Sequence, residues 1–202
     1  MSKNIPDFEL YKKDRSKYFL QLEEYLKGIL KKSRYRHTIG VANTCACMAM
    51  KYGYDMDKAY LAGLLHDNAK GLSEEELLKL AKRADIKCSS FEKRHPFILH
   101  GPVGAYIAEK EFKINDREVL LAIANHTTGR PEMTLLEKIV FLADFFEPGR
   151  CEAPNLPQVR ALAFEDIDRC LLRVLEDTLT YLKASGSDTD SKTLETYNYY
   201  KP

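Results

Sequence analysis

The chain has 202 residues, 45% of them hydrophobic and 30% charged, with no Trp and a formal net charge of +1. That length suits one well-buried core and is tight for two full domains. The near-neutral balance excludes a global electrostatic case for nucleic acid, and no run approaches the roughly 18 apolar residues needed to span a bilayer, so neither nucleic acid nor membrane is an expected partner.

Nearly every segment repeats its apolar residues with helical period, which makes the chain all-α. The first helix is expected to begin near Asp14 or Ser16, with Tyr18, Leu22, Tyr25, Leu26 and Ile29 on one face. Arg34 to Tyr52 continues helically, with a packing face of Ile39, Ala42, Ala46, Ala49 and Met50. Asp55 or Asp57 suits the start of a helix whose stripe Ala59, Ala62 and Leu65 runs into His66-Asp67, with Gly71 as its stop. Ser73 with Glu76 is a capping box, and so is Thr134 with Glu137. The stretch from Asp85 to Leu99 is less regular. Pro102 belongs in the first turn of a helix just after His100, and Asp116 can cap one that ends at His126. Pro148-Gly149 must end the helix carrying Asp144. One long last helix follows Pro157, with Phe164, Ile167, Leu171, Val174, Thr178 and Leu182 inward; Ser185 to Lys192 reads as a polar loop, and Tyr197 to Tyr200 as an aromatic tail.

The chemistry sits in an ordered series: His37, then His66-Asp67, His100, His126 and finally Asp144. Imidazole and carboxylate without thiolate are ligands for Fe, Mn, Co, Ni or Zn. A lone His on a helix is usually a hydrogen-bonded structural residue, and His95 in the charged stretch Glu92-Lys93-Arg94 keeps that reading. Four histidines placed at or near predicted helix ends, with two aspartates, point instead to a metal site. Neighbours on a helix diverge by about 100°, so His66 and Asp67 share an ion only close to their helix end. Lys70, on the same surface, would repel a cation and suits a phosphate or the ligand carboxylate. The basic residues Lys27, Lys31, Lys32, Arg34 and Arg36 form a solvated helix face or a phosphate-steering rim.

These residues and their neighbours carry a resemblance. The series H…HD…H…H…D resembles the HD-domain superfamily of metal-dependent phosphohydrolases. Arg34-Tyr35-Arg36-His37, His66-Asp67-Asn68-Ala69-Lys70, Leu99-His100-Gly101-Pro102-Val103-Gly104-Ala105, His126-Thr127-Thr128-Gly129 and Leu142-Ala143-Asp144 through Glu147-Pro148-Gly149-Arg150 are similar to the YqeK family of symmetrical bis(5'-nucleosyl)-tetraphosphatases. The match runs from about Lys17 to Asn198. It implies one compact helical HD domain over 17–184, an N-terminal extension over 1–16, and a polar loop and tail over 185–202 that is a candidate to pack over the pocket.

The resemblance further implies hydrolysis of diadenosine tetraphosphate and related dinucleoside polyphosphates to nucleoside diphosphates, by attack of metal-bound hydroxide on an inner phosphorus. Iron is the implied metal, as one or two ions. His37, His66, Asp67 and Asp144 make the minimal site; His100 and His126 either complete a second position bridged by Asp67 or hydrogen-bond phosphate. Asp67 and Lys70 carry the catalytic roles, while Arg34, Lys70, His100, His126 and Arg150 are the substrate contacts. A nucleotidase or phosphodiesterase acting on another nucleotide, and a non-catalytic metal-stabilised nucleotide sensor, are the alternatives. The five cysteines (45, 47, 88, 151, 170) form no C-x-x-C, and the first residues lack the apolar run of a signal peptide; both fit a cytoplasmic setting. A homodimer is left open.

Overall fold

The computed structural model describes residues 4–153 and 155–202. Among these residues every regular element is helical: α1 (Phe8–Lys13), α2 (Arg15–Ile29), α3 (Lys32–Tyr52), α4 (Met56–Leu65), α5 (Glu74–Arg83), α6 (Ser90–Arg94), a short 3-10 turn (Pro96–Leu99), α7 (His100–Lys110), α8 (Arg117–Asn125), α9 (Leu135–Phe146), α10 (Leu156–Ala163), α11 (Ile167–Ala184) and α12 (Ser191–Tyr200). No helix is long and apolar enough to cross a membrane.

The starts follow from local capping chemistry. The carboxylates of Asp14, Asp55, Asp116 and Asp166 accept backbone N–H groups in the first turns of α2, α4, α8 and α11. Reciprocal capping boxes open α5 (Ser73, Glu76) and α9 (Thr134, Glu137), and a third, Ser89 with Glu92, gives the irregular stretch its short α6.

α4 lies at the centre, packed by α3, α8 and α9. Its Ala59, Leu61, Ala62, Gly63, Leu64 and Leu65 are all buried, so more than the predicted stripe faces protein. The closest approach to α3 is at Gly63, where a Cβ would lie 2.6 Å from the Ala42 Cα. Each of the core leucines Leu61, Leu64 and Leu65 removes its side chain from water, about 1.5–3 kcal/mol apiece.

Several predicted features differ. α4 ends at Leu65 rather than near Gly71. The buried face of α3 is Thr38, Val41, Ala42, Thr44, Cys45, Met48 and Ala49, and Met50 is exposed, because the helix turns its Cys45–Met48 edge toward the core. The expected single helix after Pro157 is two: Asp166 caps a new start at Ile167, and Phe164, expected inward, is exposed at the break. His100 is the first residue of α7 rather than the residue before it.

Residues 1–16 include α1, whose Phe8 and Tyr11 rings pack against Tyr18. The aromatic tail is the helix α12, tied down by Thr196 Oγ1 donating to the Thr128 carbonyl, by the Met133 N–H donating to the Tyr200 hydroxyl, and by Lys192 on the buried Glu92.

Candidate metal centre

Four helix termini and the first turns of α3 converge on one buried point. His66 (0% exposed) and Asp67 (3%) follow the last residue of α4. There the chain tightens: Asn68, Lys70 and Leu72 donate to the carbonyls of Leu65, Asp67 and Ala69, each three residues back. The helical register assumed for Lys70 therefore does not apply, yet these turns bring its ammonium to 3.3 Å from His100 Nε2. His100 opens α7, His126 follows α8, and Asp144 lies in the last turn of α9.

Three of the histidines are held alike. Nδ1 of His66 lies 2.7 Å from the Gly63 carbonyl, that of His100 2.5 Å from Phe97, and that of His126 2.7 Å from Ile123. A carbonyl only accepts, so Nδ1 carries the proton and Nε2 presents a lone pair to the centre. Gly63 and Ile123 offer carbonyls because α4 and α8 end there, and the Phe97 carbonyl, in the 3-10 turn, accepts both the His100 N–H and its Nδ1–H. His37, in the second turn of α3, has its Nδ1 3.1 Å from Glu147 Oε1 instead.

The ligand atoms are spaced as an ion requires. Two atoms at about 2.1 Å from one ion lie roughly 3.0 Å apart at a right angle and roughly 3.4 Å apart at the tetrahedral angle. Here His37 Nε2 is 3.0 Å from Asp144 Oδ1, and His66 Nε2 is 3.4 Å from Asp67 Oδ2. His100 Nε2 is 3.1 Å from His126 Nε2 and 3.3 Å from Asp67 Oδ1. The buried Nε2 atoms of His37 and His66 have no hydrogen-bond partner among the described residues. A buried lone pair without a donor costs free energy that a cation would recover, so the donor set fits a metal. Three overlapping groups satisfy ligand spacing: His37-His66-Asp67, His66-His126-Asp144 and Asp67-His100-His126.

Burial alone would raise the Asp67 carboxyl pKa, but where His66, His100 and His126 carry a second proton they outweigh it and hold the group well below the ordinary range. Asp144 is likewise depressed against its burial, by His37, His66 and His126. Desolvation lowers His100 and Lys70, opposed at Lys70 by Asp67 and Asp144.

Cationic side chains ring the centre. Arg34 NH1 donates to Asp67 Oδ2 at 2.6 Å, and Arg150 donates to Asp144 through NH2 to Oδ1 (2.8 Å) and Nε to the carbonyl (3.0 Å). Arg150 stands between two cavities. One, about 770 Å³, is lined by Arg34, Tyr35, Arg36, His37 and Asn43; the other, about 490 Å³, by Lys70, His100, Thr127, Phe141, Phe145, Thr178 and Thr193; both touch Gly149 and Arg150. His95 lies apart, packed on Phe91 and 3.6 Å from Asp188.

The sequence reading did not single out three residues. Glu147 touches His37. Thr127 places its hydroxyl 3.3 Å from His100 Nε2 and 3.4 Å from His126 Nε2. Arg160 donates to the carbonyls of Phe146, Glu147 and Arg150, which fixes the loop carrying Arg150. The adjacency of Thr127 to a ligand and of Glu147 to Asp144 was the available signal; Arg160 had none.

Comparison with known proteins places this geometry. The HD domain family matches residues 34–149. A symmetrical bis(5'-nucleosyl)-tetraphosphatase from Bacillus subtilis is 37% identical over 86% of this chain and 92% of its own length. One of the same description from Halalkalibacterium halodurans is 41% identical over 87% and 92%. A crystal structure from Clostridium acetobutylicum, described as a predicted HD superfamily hydrolase involved in NAD metabolism, superposes with a TM-score of 0.87 at 37% identity, over 90% of this chain and 96% of that one. With an HD match over more than half its length and such relatives along most of it, this chain belongs to the HD domain family of metal-dependent hydrolases, beside the symmetrical bis(5'-nucleosyl)-tetraphosphatases.

Proposed function

We propose that this protein hydrolyses diadenosine tetraphosphate and related dinucleoside polyphosphates symmetrically, releasing two nucleoside diphosphates. The observation that carries the reading is the two-sided placement of Asp67. Its Oδ2 faces His66 (3.4 Å) and His37 (3.8 Å), while its Oδ1 faces His100 (3.3 Å) and His126 (3.7 Å). A carboxylate so placed suits a bridge between two ions.

His37, His66, Asp67 and Asp144 would hold the first ion, and Asp67, His100 and His126 the second. The all-nitrogen and oxygen set suits iron, with Mn, Co, Ni or Zn as substitutes. When bound, the metal supplies Lewis acidity and an acidified water as nucleophile near neutral pH. Around it, Lys70 and Arg150 neutralise charge gathering on the phosphoryl oxygens, and Arg34 takes phosphate from the rim. The Thr127 hydroxyl adds a donor beside Lys70. Two cavities meeting at Arg150 suit a substrate with a nucleoside at each end of its phosphate chain. Attack at an inner phosphorus breaks its bond to the central bridging oxygen, and the second nucleoside diphosphate leaves with that oxygen. The working unit extends beyond 17–184: α1 and α12 pack on it, and Thr193 of α12 reaches the smaller cavity.

Metal analysis of protein purified without oxygen, followed by product identification across a nucleotide panel, tests the proposal. Bound metal with ADP as the sole product of diadenosine tetraphosphate is expected. Release of inorganic phosphate, or of AMP with ATP, would reject symmetrical cleavage in favour of another nucleotidase. Full metal loading without turnover would mark a nucleotide sensor.

A further inference from the structure

His37 poses a problem that the other three histidines do not. Lying in the second turn of α3, it has behind it carbonyls engaged within the helix, and its Nδ1 meets a side chain instead of any of them. Glu147, 110 residues later, fills that role with Oε1 at 3.1 Å from Nδ1. Its side chain is buried, and no Lys or Arg approaches its carboxylate among the described residues; Oε2 instead accepts the Gly149 N–H at 2.5 Å. Room for the carboxylate comes from Gly40 on α3, where a Cβ would overlap it, and from Gly149, whose Cβ would lie 2.9 Å from Oε1. Arg160 fixes the Glu147 main chain through its carbonyl.

We infer that Glu147 is the positioning residue of His37: it holds the Nδ1–H tautomer, aims the Nε2 lone pair at the metal, and strengthens that nitrogen as a donor beyond what a backbone carbonyl achieves. An ionised acceptor makes the stronger hydrogen bond, and such a partner raises ligand basicity. α9 thereby controls two ligands from one turn, Asp144 directly and His37 through Glu147. The inference rests on the metal reading of the site and is independent of which nucleotide is cleaved.

The test uses the full chain with Glu147→Ala and Glu147→Gln. Long-range proton–nitrogen NMR on metal-free protein carrying Asp144→Asn, which removes the carboxylate 3.0 Å from His37 Nε2, reads the His37 tautomer, and chelator competition with Zn²⁺ or Mn²⁺ on protein with Asp144 intact reads affinity. With Glu147 intact in that background, the Nδ1–H tautomer is expected. Glu147→Ala should mix in the Nε2–H form and weaken metal binding about 10–100-fold. Glu147→Gln keeps an acceptor for Nδ1–H, so it should retain the tautomer with a smaller loss. A merely structural role would lower thermal stability without moving the tautomer. Wild-type tautomer and affinity in the Ala variant overturn the inference; if that variant does not fold, unchanged affinity in the Gln variant overturns it. The tautomer measurement needs neither metal nor substrate, so failure of the proposed activity leaves it decisive.

Discussion

Glu137 and Asp67 are both buried carboxylates, 1% and 3% exposed, and they are held in opposite ways. Glu137 is saturated. Oε1 accepts from Asn125 Nδ2 (2.8 Å) and Arg130 Nε (2.7 Å), and Oε2 from Arg130 NH2 (2.7 Å) and the Thr134 N–H (2.8 Å). These bonds tie the end of α8, the loop after His126 and the start of α9 into one unit. Asp67 accepts one charged donor, Arg34 NH1 on Oδ2 (2.6 Å), and is otherwise surrounded by imidazoles, and two of the ring nitrogens beside it have no donor. A saturated polar cluster holds structure, whereas one that leaves buried lone pairs open is stabilised fully only by a ligand. The contrast separates scaffold from site without reference to any relative.

The comparison breaks most visibly at the unsaturated cluster. Asp67→Asn preserves shape but removes the shared charge; turnover should fall at least about a thousandfold, roughly 4 kcal/mol in the barrier, with metal content falling and helicity retained. Elemental analysis and circular dichroism check both parts.

At the saturated cluster the effect should be on folding. Glu137→Ala should lower stability by about 2–3 kcal/mol in urea unfolding, less than the roughly 3–5 kcal/mol of a fully buried pair because Arg130 is a third exposed, while metal per folded molecule is unchanged. Burial would raise the Glu137 pKa, but Arg130, the Thr134 N–H and Asn125 depress it. A depressed carboxyl stabilises fully above its unfolded pKa of about 4.3, and that share is lost as pH falls through the lower folded value. Glu137→Ala should therefore flatten the acid limb of a stability-versus-pH curve.

Lys70→Ala sharpens the comparison from the catalytic side. Turnover should drop about 10–100-fold with metal content intact, read by kinetics on metal-loaded protein. Loss of metal would instead make Lys70 part of the scaffold. The smallest effect is expected at Thr196→Val, which removes the hydroxyl shared between the Thr128 carbonyl (3.1 Å) and the Lys192 carbonyl of α12 itself (2.7 Å): about 1 kcal/mol in thermal or urea unfolding, with the metal retained.

What could be read from the sequence was local. Asp14, Asp55, Ser73, Asp116 and Thr134 announced helix starts because a cap is a hydrogen bond spanning two or three residues. The break before Ile167 is not legible in the sequence although Asp166 caps it in the same way, because the apolar period runs on across Phe164 and Ile167 and masks a short non-helical step. Ser185 to Lys192 reads as a polar loop and Tyr197 to Tyr200 as an aromatic tail, with no helix between, because the period of α12 is weak; its place is fixed by Thr128, Met133 and Glu92.

The sequence by itself determined the all-α class, the helix starts and the ordered set of imidazoles and carboxylates, since period, capping and ligand chemistry are properties of neighbouring residues. Only the tertiary structure decided which nitrogen each ring presents, that the two oxygens of Asp67 face different histidines, and that Glu147 reaches His37 across 110 residues. Those outcomes depend on where helices stop and how closely α3, α4 and α9 pack, and no local pattern encodes the distance between residues so far apart in the chain.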